Sequence, residues 1–429
     1  MAGRRHRKAN GIPSVGQTSA TNVAIVILGA IAGVIAARTL GPHGRGVYAM
    51  ATVAPTFIGI VGTLGVEEAI VYLAGRTNDH QTIGRLVWGS LALAIALGSL
   101  ASVASVLFQL ILFWRPSLGI SEILFITMAC QPLVFAISQV LLAHLRARAR
   151  YFTWNILRIL VCLVYLVGLT IVLSLGMLTV DTAIVCLISG NTAVLLGSIL
   201  TVCFSYRVST SRTEIESMFS YGWRNHLVTV QTYANQQLDQ VFLAAMVPAA
   251  QLGLYAIAVT YASAGLSLGA APALQMYSHF SRQESPDRAD YQRLMTRTLI
   301  MLVGTSMISG AMAPFIIPLV FGKSYEGAVT PALILVLSST VLSLSAMYSA
   351  IWKSAGKPLT AAKAQGVGLF LTVISLPLAI TYLSILGAAL VSIIVYGVVA
   401  ACLWYSKPFD GLLMARRYPE SLRESISHH

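Results

Sequence analysis

Twelve long apolar windows recur along the 429 residues of this chain, separated by polar connections. A bilayer core about 30 Å thick is crossed by about 20 largely apolar residues in an α-helix. The windows reach this length, so the pattern predicts an all-α integral membrane protein with about 12 transmembrane helices, here called spans 1 to 12. The predicted spans cover residues 18–38, 47–73, 86–113, 121–143, 152–175, 181–204, 219–246, 252–277, 298–320, 328–352, 361–381 and 386–405.

The distribution of basic residues predicts how these spans are oriented. With the N-terminus in the cytoplasm, 22 of the 28 Lys and Arg residues fall in inner segments, four in outer loops, and two (Arg158 and Arg224) inside spans. Cytoplasmic loops of membrane proteins carry an excess of Lys and Arg. We therefore predict a multi-pass protein of the cytoplasmic membrane with both termini in the cytoplasm. The basic N-terminus followed by span 1 also resembles a signal peptide, but we interpret it as an uncleaved first helix because many spans follow.

Span 7 departs from the apolar pattern. The stretch Tyr221 to Val247 contains an arginine, a histidine, an aspartate, two asparagines and four glutamines. At about 100° per residue, most of these polar side chains fall in one half of a helix, and an apolar set that includes Leu227, Val230 and Leu238 occupies the other. From Arg224 to Asp239 the polar stripe would run for about 22 Å, which predicts that the helix lines a hydrated cavity.

An alternative is that this stretch lies flat on the membrane as an amphipathic helix. Every later connection would then change sides, and eleven of the 22 inner basic residues would move outside. The excess of basic residues on one side therefore favours a crossing helix.

Composition agrees with a polytopic membrane protein and argues against a protein that binds zinc or nucleic acid. Hydrophobic residues make up 56% of the chain and charged residues 10%, and the mean hydropathy is +0.77, as in polytopic membrane proteins. The five cysteines lie in apolar runs without a CxxC pair, so neither disulfides nor zinc is predicted. The net charge of +13 is spread over many short loops, so no nucleic acid partner is expected. We predict no metal and no cofactor.

The spans divide into two sets of six. The polar segment 207–218 would link an N-terminal lobe (17–206) to a C-terminal lobe (219–406), with cytoplasmic tails at 1–16 and 407–429. A Gly-x-Tyr-Ala motif opens the second span of each lobe, at Gly46 to Ala49 and again at Gly253 to Ala256. Equal span counts and matching motifs predict that the lobes are same-direction repeats.

Several longer segments carry a resemblance to a known family. They follow span 1, cross from span 7 into span 8, precede span 10, connect spans 10 and 11, and lie in span 12. Their sequences are "AARTLGPHGRGVYAMATV", "QQLDQVFLAAMVPAAQLGLYAIAVTYAS", "PLVFGKSYEGAV", "WKSAGKPLTAAKAQ" and "LGAALVSIIVYGV". In these segments the chain resembles the polysaccharide (O-antigen-type) flippases of the multidrug/oligosaccharidyl-lipid/polysaccharide (MOP) exporter superfamily, which also contains the multidrug and toxin extrusion antiporters.

The resemblance implies a fold and a function. The fold would be a V-shaped pair of six-helix lobes around a central cavity that opens alternately inward and outward. The cargo would be a polyprenyl-diphosphate-linked oligosaccharide, moved from the cytoplasmic to the outer leaflet of a bacterial inner membrane for surface polysaccharide synthesis. Polysaccharide polymerase and assembly proteins would be candidate partners. A lipid II flippase is a less favoured alternative, because the lipid II flippases of the superfamily usually carry two extra helices, which these twelve spans lack.

The candidate site residues follow from chemistry. A sugar diphosphate needs a cation and many hydrogen-bonding groups, and arginine matches phosphate oxygens with its planar fork. Ion coupling would need a carboxylate, for which Asp239, Glu67 and Glu68 are candidates. The substrate-binding candidates are Arg224, Asn225, Gln231, Asn235, Gln236, Asp239, Gln240 and Arg158.

Less specific explanations remain for some of these side chains. Arg224 and Arg158 lie near span ends, from which a long side chain can extend to the interface. Asp239 could pair with a hydroxyl or an amide, and the two glutamates could lie at the membrane surface.

Two other functions are compatible with part of the pattern. A cation-coupled drug antiporter would use a deep carboxylate such as Asp239. A membrane enzyme acting on lipid-linked sugars would need a sizeable outer domain, whereas the predicted outer connections are short and carry no catalytic motif. We therefore predict a transporter and not an enzyme.

Overall fold

The computed structural model describes residues 11–113, 121–282, 287–355 and 357–409. These residues form eleven α-helices and two short 3-10 helices (Cys203–Ser205 and Lys323–Ala328), and no strand occurs among them. The all-α class is thereby confirmed for the described part of the chain. The α-helices are α1 (Gly11–Gly62), α2 (Val66–Arg76), α3 (His80–Phe113), α4 (Glu122–Ala147), α5 (Tyr151–Ser174), α6 (Val180–Val202), α7 (Arg212–Met246), α8 (Ala249–Arg282), α9 (Arg288–Phe321), α10 (Val329–Ser354) and α11 (Pro358–Tyr405).

Two of the helices are interrupted. Gly41 in α1 has φ 65° and ψ −179°, a backbone conformation that glycine adopts without a steric penalty, and Pro42 follows it. Ser384 interrupts α11 with φ 53° and ψ −133°, and its hydroxyl donates a hydrogen bond to Oε1 of Gln251 in α8. Each of these helices therefore contains two segments, which correspond to predicted spans 1 and 2 and to spans 11 and 12.

Every predicted span overlaps a helix of the described chain. Eight helices are long and apolar enough to cross a membrane, and two of these, Ala20–Gly62 with 43 residues and Leu359–Tyr405 with 47, have the length for two crossings each. Helices α7, with 35 residues, and α8, with 34, have comparable length but are not among these eight, so the crossings predicted as spans 7 and 8 stay predictions. Span 2 is not one continuous helix, however, because α1 ends at Gly62 and α2 begins at Val66.

The chain forms two compact units. Unit 1 contains residues 1–44 and 51–230, and unit 2 contains residues 45–50 and 231–429. The boundary at residue 230 lies within α7, whereas the predicted linker is segment 207–218. The predicted lobe limits, 17–206 and 219–406, therefore stay a prediction.

The first half of α7 belongs to unit 1 because it packs there closely. Met218 is fully buried among residues of α2, α3 and α4. A methyl group added at Gly222 would lie 2.8 Å from the carbonyl oxygen of Gly65, the residue that precedes α2. His226 contacts the carbonyl oxygen of Val61 through Nε2 at 3.1 Å. Small residues let the backbones of membrane helices approach in this way.

Unit 1 has two buried apolar clusters. One joins α2, α3 and α4 around Ile70, Leu86 and Val140. The other joins α3, α4, α5 and α6 around Leu141 and Leu157. These clusters hold α5 and α6 against the earlier helices.

In unit 2 the two predicted repeat motifs lie against each other. A methyl group on Gly46 would lie 1.7 Å from the carbonyl oxygen of Ala249 and 3.0 Å from the amide nitrogen of Gly253. The start of α8 therefore contacts the short segment Arg45–Met50 at backbone distance. Tyr255 and Tyr325 are fully buried nearby.

Candidate functional site on helix α7

Helix α7 carries most of the predicted site residues. Arg224 and Asn225 are helical, and their side chains lie outside the described part of the structure. From Gln231 onward the helix belongs to unit 2. The site can therefore be described from Gln231 to Gln240.

Asn235 connects α7 to both segments of α11. Its Nδ2 donates to Oε1 of Gln365 at 2.7 Å, and its backbone carbonyl accepts a 2.5 Å hydrogen bond from the Tyr396 hydroxyl. The side chain is buried, and Oδ1 has no hydrogen-bond partner. Asn235 thus combines a structural contact with one unused acceptor.

Asp239 lies one turn further along α7 and is 8% exposed. Its Oδ2 accepts a 2.6 Å hydrogen bond from the hydroxyl of Tyr255 in α8, and its Oδ1 accepts one from the Gln240 backbone nitrogen at 2.7 Å. Hydrogen bonds to a carboxylate offset part of the free energy required to bury it. No basic residue pairs with Asp239 among the described residues.

Asp239 borders a small cavity of about 130 Å³ inside unit 2. Serines from three helices share its wall with the polar face of α7, and the described lining contains no Lys, Arg or His. The polar lining residues include Gln236, Gln237, Ser338, Ser392 and Tyr396. This arrangement can hold water or a small polar group beside a buried carboxylate.

The two remaining amides of the predicted stripe have separate surroundings. A methyl group on Gly366 would lie 3.2 Å from Nε2 of Gln231, whose Oε1 is buried without a partner. Gln240 is 6% exposed, and its Nε2 donates to Oε1 of Gln237 at 3.2 Å. The described stripe is therefore packed against neighbouring helices over much of its length.

The other candidates belong to unit 1. Arg158 lies in α5 and donates from Nη2 to Oδ1 of Asn22 in α1 at 2.9 Å. Glu67 and Glu68 lie in the first turn of α2, and Oε1 of Glu67 accepts a 3.2 Å hydrogen bond from the Thr63 hydroxyl. None of these three residues lines the cavity beside Asp239.

The sequence pattern did not reveal the hydrogen-bond partners of the polar stripe. Tyr255 was identified as part of the repeat motif but not as the donor to Asp239, and Tyr396 lies in an apolar span. The sequence contained a signal for Tyr255, because a tyrosine in an apolar span is expected to be buried and a buried tyrosine hydroxyl normally has a hydrogen-bond partner. Gln365 had a similar signal, as an amide within an apolar helix.

A larger cavity in unit 1 was also not predicted. It has a volume of about 410 Å³, within the range of roughly 300 to 1,000 Å³ typical of ligand sites. One of its amides is already bonded, since Nε2 of Gln131 donates to the Thr56 hydroxyl at 2.7 Å. Its described lining carries no charged side chain and includes Thr56, Gln131, Phe135, Gln139 and Asn191.

Solved structures with this fold are membrane transporters. The chain matches the lipid II flippase MurJ in an inward closed conformation with a TM-score of 0.74 at 14% identity, over 93% of this chain and 89% of that one. It matches a multidrug resistance MATE family transporter of the MOP superfamily in its inward-facing conformation with a TM-score of 0.65 at 14% identity, over 93% and 96% of the two chains. It matches a MATE transporter in its outward-facing conformation with a TM-score of 0.56 at 15% identity, over 93% of this chain and 96% of that one. The chain therefore has the fold of the MOP transporters.

The sequence profile of the polysaccharide biosynthesis protein family matches residues 35–330. This stretch is well over half of the chain, so the protein belongs to that family. The polysaccharide family expected from the sequence motifs is thereby confirmed, and the solved structures show the expected fold. No curated protein sequence matches the chain significantly.

Proposed function

We propose that this protein is a flippase that moves a polyprenyl-diphosphate-linked oligosaccharide from the cytoplasmic to the outer leaflet. It works in a bacterial cytoplasmic membrane, with both termini in the cytoplasm, by alternating access. The observation that carries the proposal is membership of the polysaccharide biosynthesis family in a chain with a transporter fold. Family membership suggests a saccharide cargo, and the fold suggests transport by alternating access.

The polar residues of α7 support this choice of cargo. In this proposal Arg224 meets the diphosphate, because a guanidinium binds phosphate oxygens through paired, charge-assisted hydrogen bonds. Asn225, Gln231, Asn235, Gln236 and Gln240 offer hydrogen bonds to sugar hydroxyls. The unpartnered oxygens of Gln231 and Asn235 are acceptors of the type that a hydroxyl requires.

The membrane potential can drive this export. The diphosphate carries about two negative charges, and moving one charge across 100 mV changes the free energy by about 2.3 kcal/mol. Outward movement across an inside-negative membrane is therefore favourable by about 4 to 5 kcal/mol per 100 mV. No coupling ion is required for transport in this direction.

Asp239 favours a second candidate function, a cation-coupled antiporter. The buried carboxylate borders a cavity whose wall includes amide and hydroxyl side chains, and it has no basic partner among the described residues. Such a group could exchange a cation during transport, as could Glu67 and Glu68 in unit 1. A flippase coupled to an ion gradient would also use such a carboxylate, so the cargo must decide between the two functions.

Deletion of the gene in the cells that carry it tests the proposal. We expect lipid-linked saccharide to accumulate in the cytoplasmic leaflet and surface polysaccharide to be lost. Wild-type protein should restore both, and Arg224→Ala should restore less than about a tenth of the surface polysaccharide, since it removes the charged group proposed to bind the diphosphate.

The matched control is Arg212→Ala on the same helix, because the Arg212 side chain is 91% exposed and pairs with Glu216 one turn away. This variant should restore export fully. Full restoration by Arg224→Ala would contradict the role of Arg224, and a deletion without accumulated saccharide would contradict the function.

A further inference from the structure

Two arginines of unit 1 share one aromatic ring. Arg158 in α5 lies over the ring of Trp154, with its guanidinium carbon 4.5 Å from the ring centroid. Arg146, in the last turn of α4, lies 5.9 Å from the same centroid. The two guanidinium carbons are therefore at most about 10 Å apart.

Neither cation has an acidic partner among the described residues. The ion pairs of the described residues involve Arg85, Arg212 and His279, and no carboxylate pairs with Arg146 or Arg158. Instead, the two guanidiniums carry charges of the same sign and lie at the same Trp154 ring. Two like charges held together need a compensating anion or ready access to water.

Each guanidinium also presents an unused donor. Nε of Arg146 and Nη1 of Arg158 are buried and have no hydrogen-bond partner. Leaving a buried donor of a charged group unpaired is unfavourable. Both nitrogens are N–H donors of the kind that bind phosphate oxygens.

Polar groups from α1 and α5 lie next to the pair. Oδ1 of Asn22 accepts from Nη2 of Arg158 at 2.9 Å, and Nδ2 of Asn155 donates to the Thr18 hydroxyl at 3.2 Å. Asn155 is 5% exposed, and its Oδ1 has no partner. The cluster therefore lies where α1, α4 and α5 meet, beside the start of α1.

Simple stabilisation accounts for only part of this arrangement. Stacking on tryptophan favours one arginine, and a cation near the end of α4 is favoured by the helix dipole. Neither effect explains why a second arginine lies at the same ring, or why one N–H donor of each arginine is buried without a partner. An anion bound between the two guanidiniums explains both observations.

We infer that Arg146, Trp154 and Arg158 form a binding site for the phosphate group of a membrane-anchored lipid. The chemistry fits the diphosphate of the lipid-linked cargo, bound apart from α7, and it also fits the phosphate of a bulk anionic phospholipid. The cargo assignment rests on the proposed function, whereas the phosphate site does not. Binding can therefore be tested without measuring transport.

The test is native mass spectrometry of the purified full-length protein in a neutral detergent, titrated with a long-chain polyprenyl diphosphate. Variants are made in an Arg224→Ala background, so that the α7 arginine does not contribute. Loss of either Arg146 or Arg158 to Gln should weaken binding about 10-fold, because each removes a charge-assisted hydrogen bond. Arg158→Lys should keep more of the binding than Arg158→Gln because it keeps the charge.

Arg150→Gln is the matched control. Arg150 is an exposed neighbour that donates to the Thr201 carbonyl oxygen, and its loss should change binding by less than about twofold. Uncharged polyprenol should bind all variants equally. Thermal melting of each variant checks that it is folded. Tryptophan fluorescence is a second measurement that does not need the arginine variants: polyprenyl diphosphate should change the fluorescence of the parent protein, and this change should disappear in Trp154→Phe.

Titration with phosphatidylglycerol distinguishes the sources of the phosphate. Selective loss of polyprenyl diphosphate binding assigns the site to the cargo, and equal loss for both lipids assigns it to phosphate lipids in general. Folded Arg146→Gln and Arg158→Gln variants that bind both lipids as the parent protein does would overturn the inference. That result would not contradict the proposed function, because the assay measures lipid binding and not transport.

Discussion

At the scale of single residues, the feature that stands out is a carboxylate buried in α7, a helix that the sequence predicts to cross the membrane. Both oxygens of Asp239 accept hydrogen bonds, one from Tyr255 and one from the backbone of Gln240. The sequence predicted a deep polar residue here because polarity is rare in a helix that crosses lipid. It could not predict that Tyr255 donates to Asp239, since Tyr255 reaches α7 from α8.

We expect Tyr255→Phe to destabilise the protein by about 1 to 3 kcal/mol, because it removes the hydroxyl that donates to Oδ2 of Asp239. The measurement is the melting temperature of the purified protein. In Asp239→Asn the acceptor is no longer charged, so adding Tyr255→Phe should lower the melting temperature by less than it does in the wild type.

Tyr382→Phe is the matched control, since Tyr382 is 82% exposed and should be neutral. If Tyr255→Phe had the same melting temperature as the wild type, the hydrogen bond would contribute little to stability, and Asp239 would need another stabilising partner.

At the scale of helices, sequence patterns located the elements better than their interruptions. Each apolar window overlaps a described helix, because length and hydropathy are local properties. Span 2 was predicted as one helix over 47–73, but the chain turns at Thr63 to Gly65, where Gly65 has φ 73°. Its backbone lies against Gly222, a contact across 157 positions of the sequence that no local pattern encodes.

The close contact of the two Gly-x-Tyr-Ala motifs gives a prediction at this scale. Gly46→Ala should destabilise unit 2 by about 1 to 3 kcal/mol, because the added methyl group would overlap the Ala249 carbonyl oxygen. Gly33→Ala in the same helix is the control, since an added methyl there meets no atom within 4 Å. Melting temperatures of both variants check this expectation, and equal values would mean that the helices can separate at no cost.

At the scale of the whole molecule, the chain belongs to the polysaccharide biosynthesis family and has the fold of the MOP transporters, and the proposed function combines these two findings. Topology rests on a separate argument, the ratio of 22 inner to four outer basic residues, and stays a prediction. The identity of the glycan depends on side-chain positions across several helices. The sequence gives the kinds of polar side chain along α7 but not their positions relative to side chains on other helices.

The most direct test of the account is translocation by the purified protein in liposomes. A labelled polyprenyl-diphosphate oligosaccharide is incorporated, a membrane potential is imposed, and the sugar becoming accessible to an impermeant reagent on the opposite side is followed over time. The account predicts that the protein accelerates translocation over protein-free liposomes, and that the rate increases when the potential favours movement of negative charge. No acceleration with several glycans, together with gradient-driven efflux of a cationic dye, would contradict the account and identify a drug antiporter.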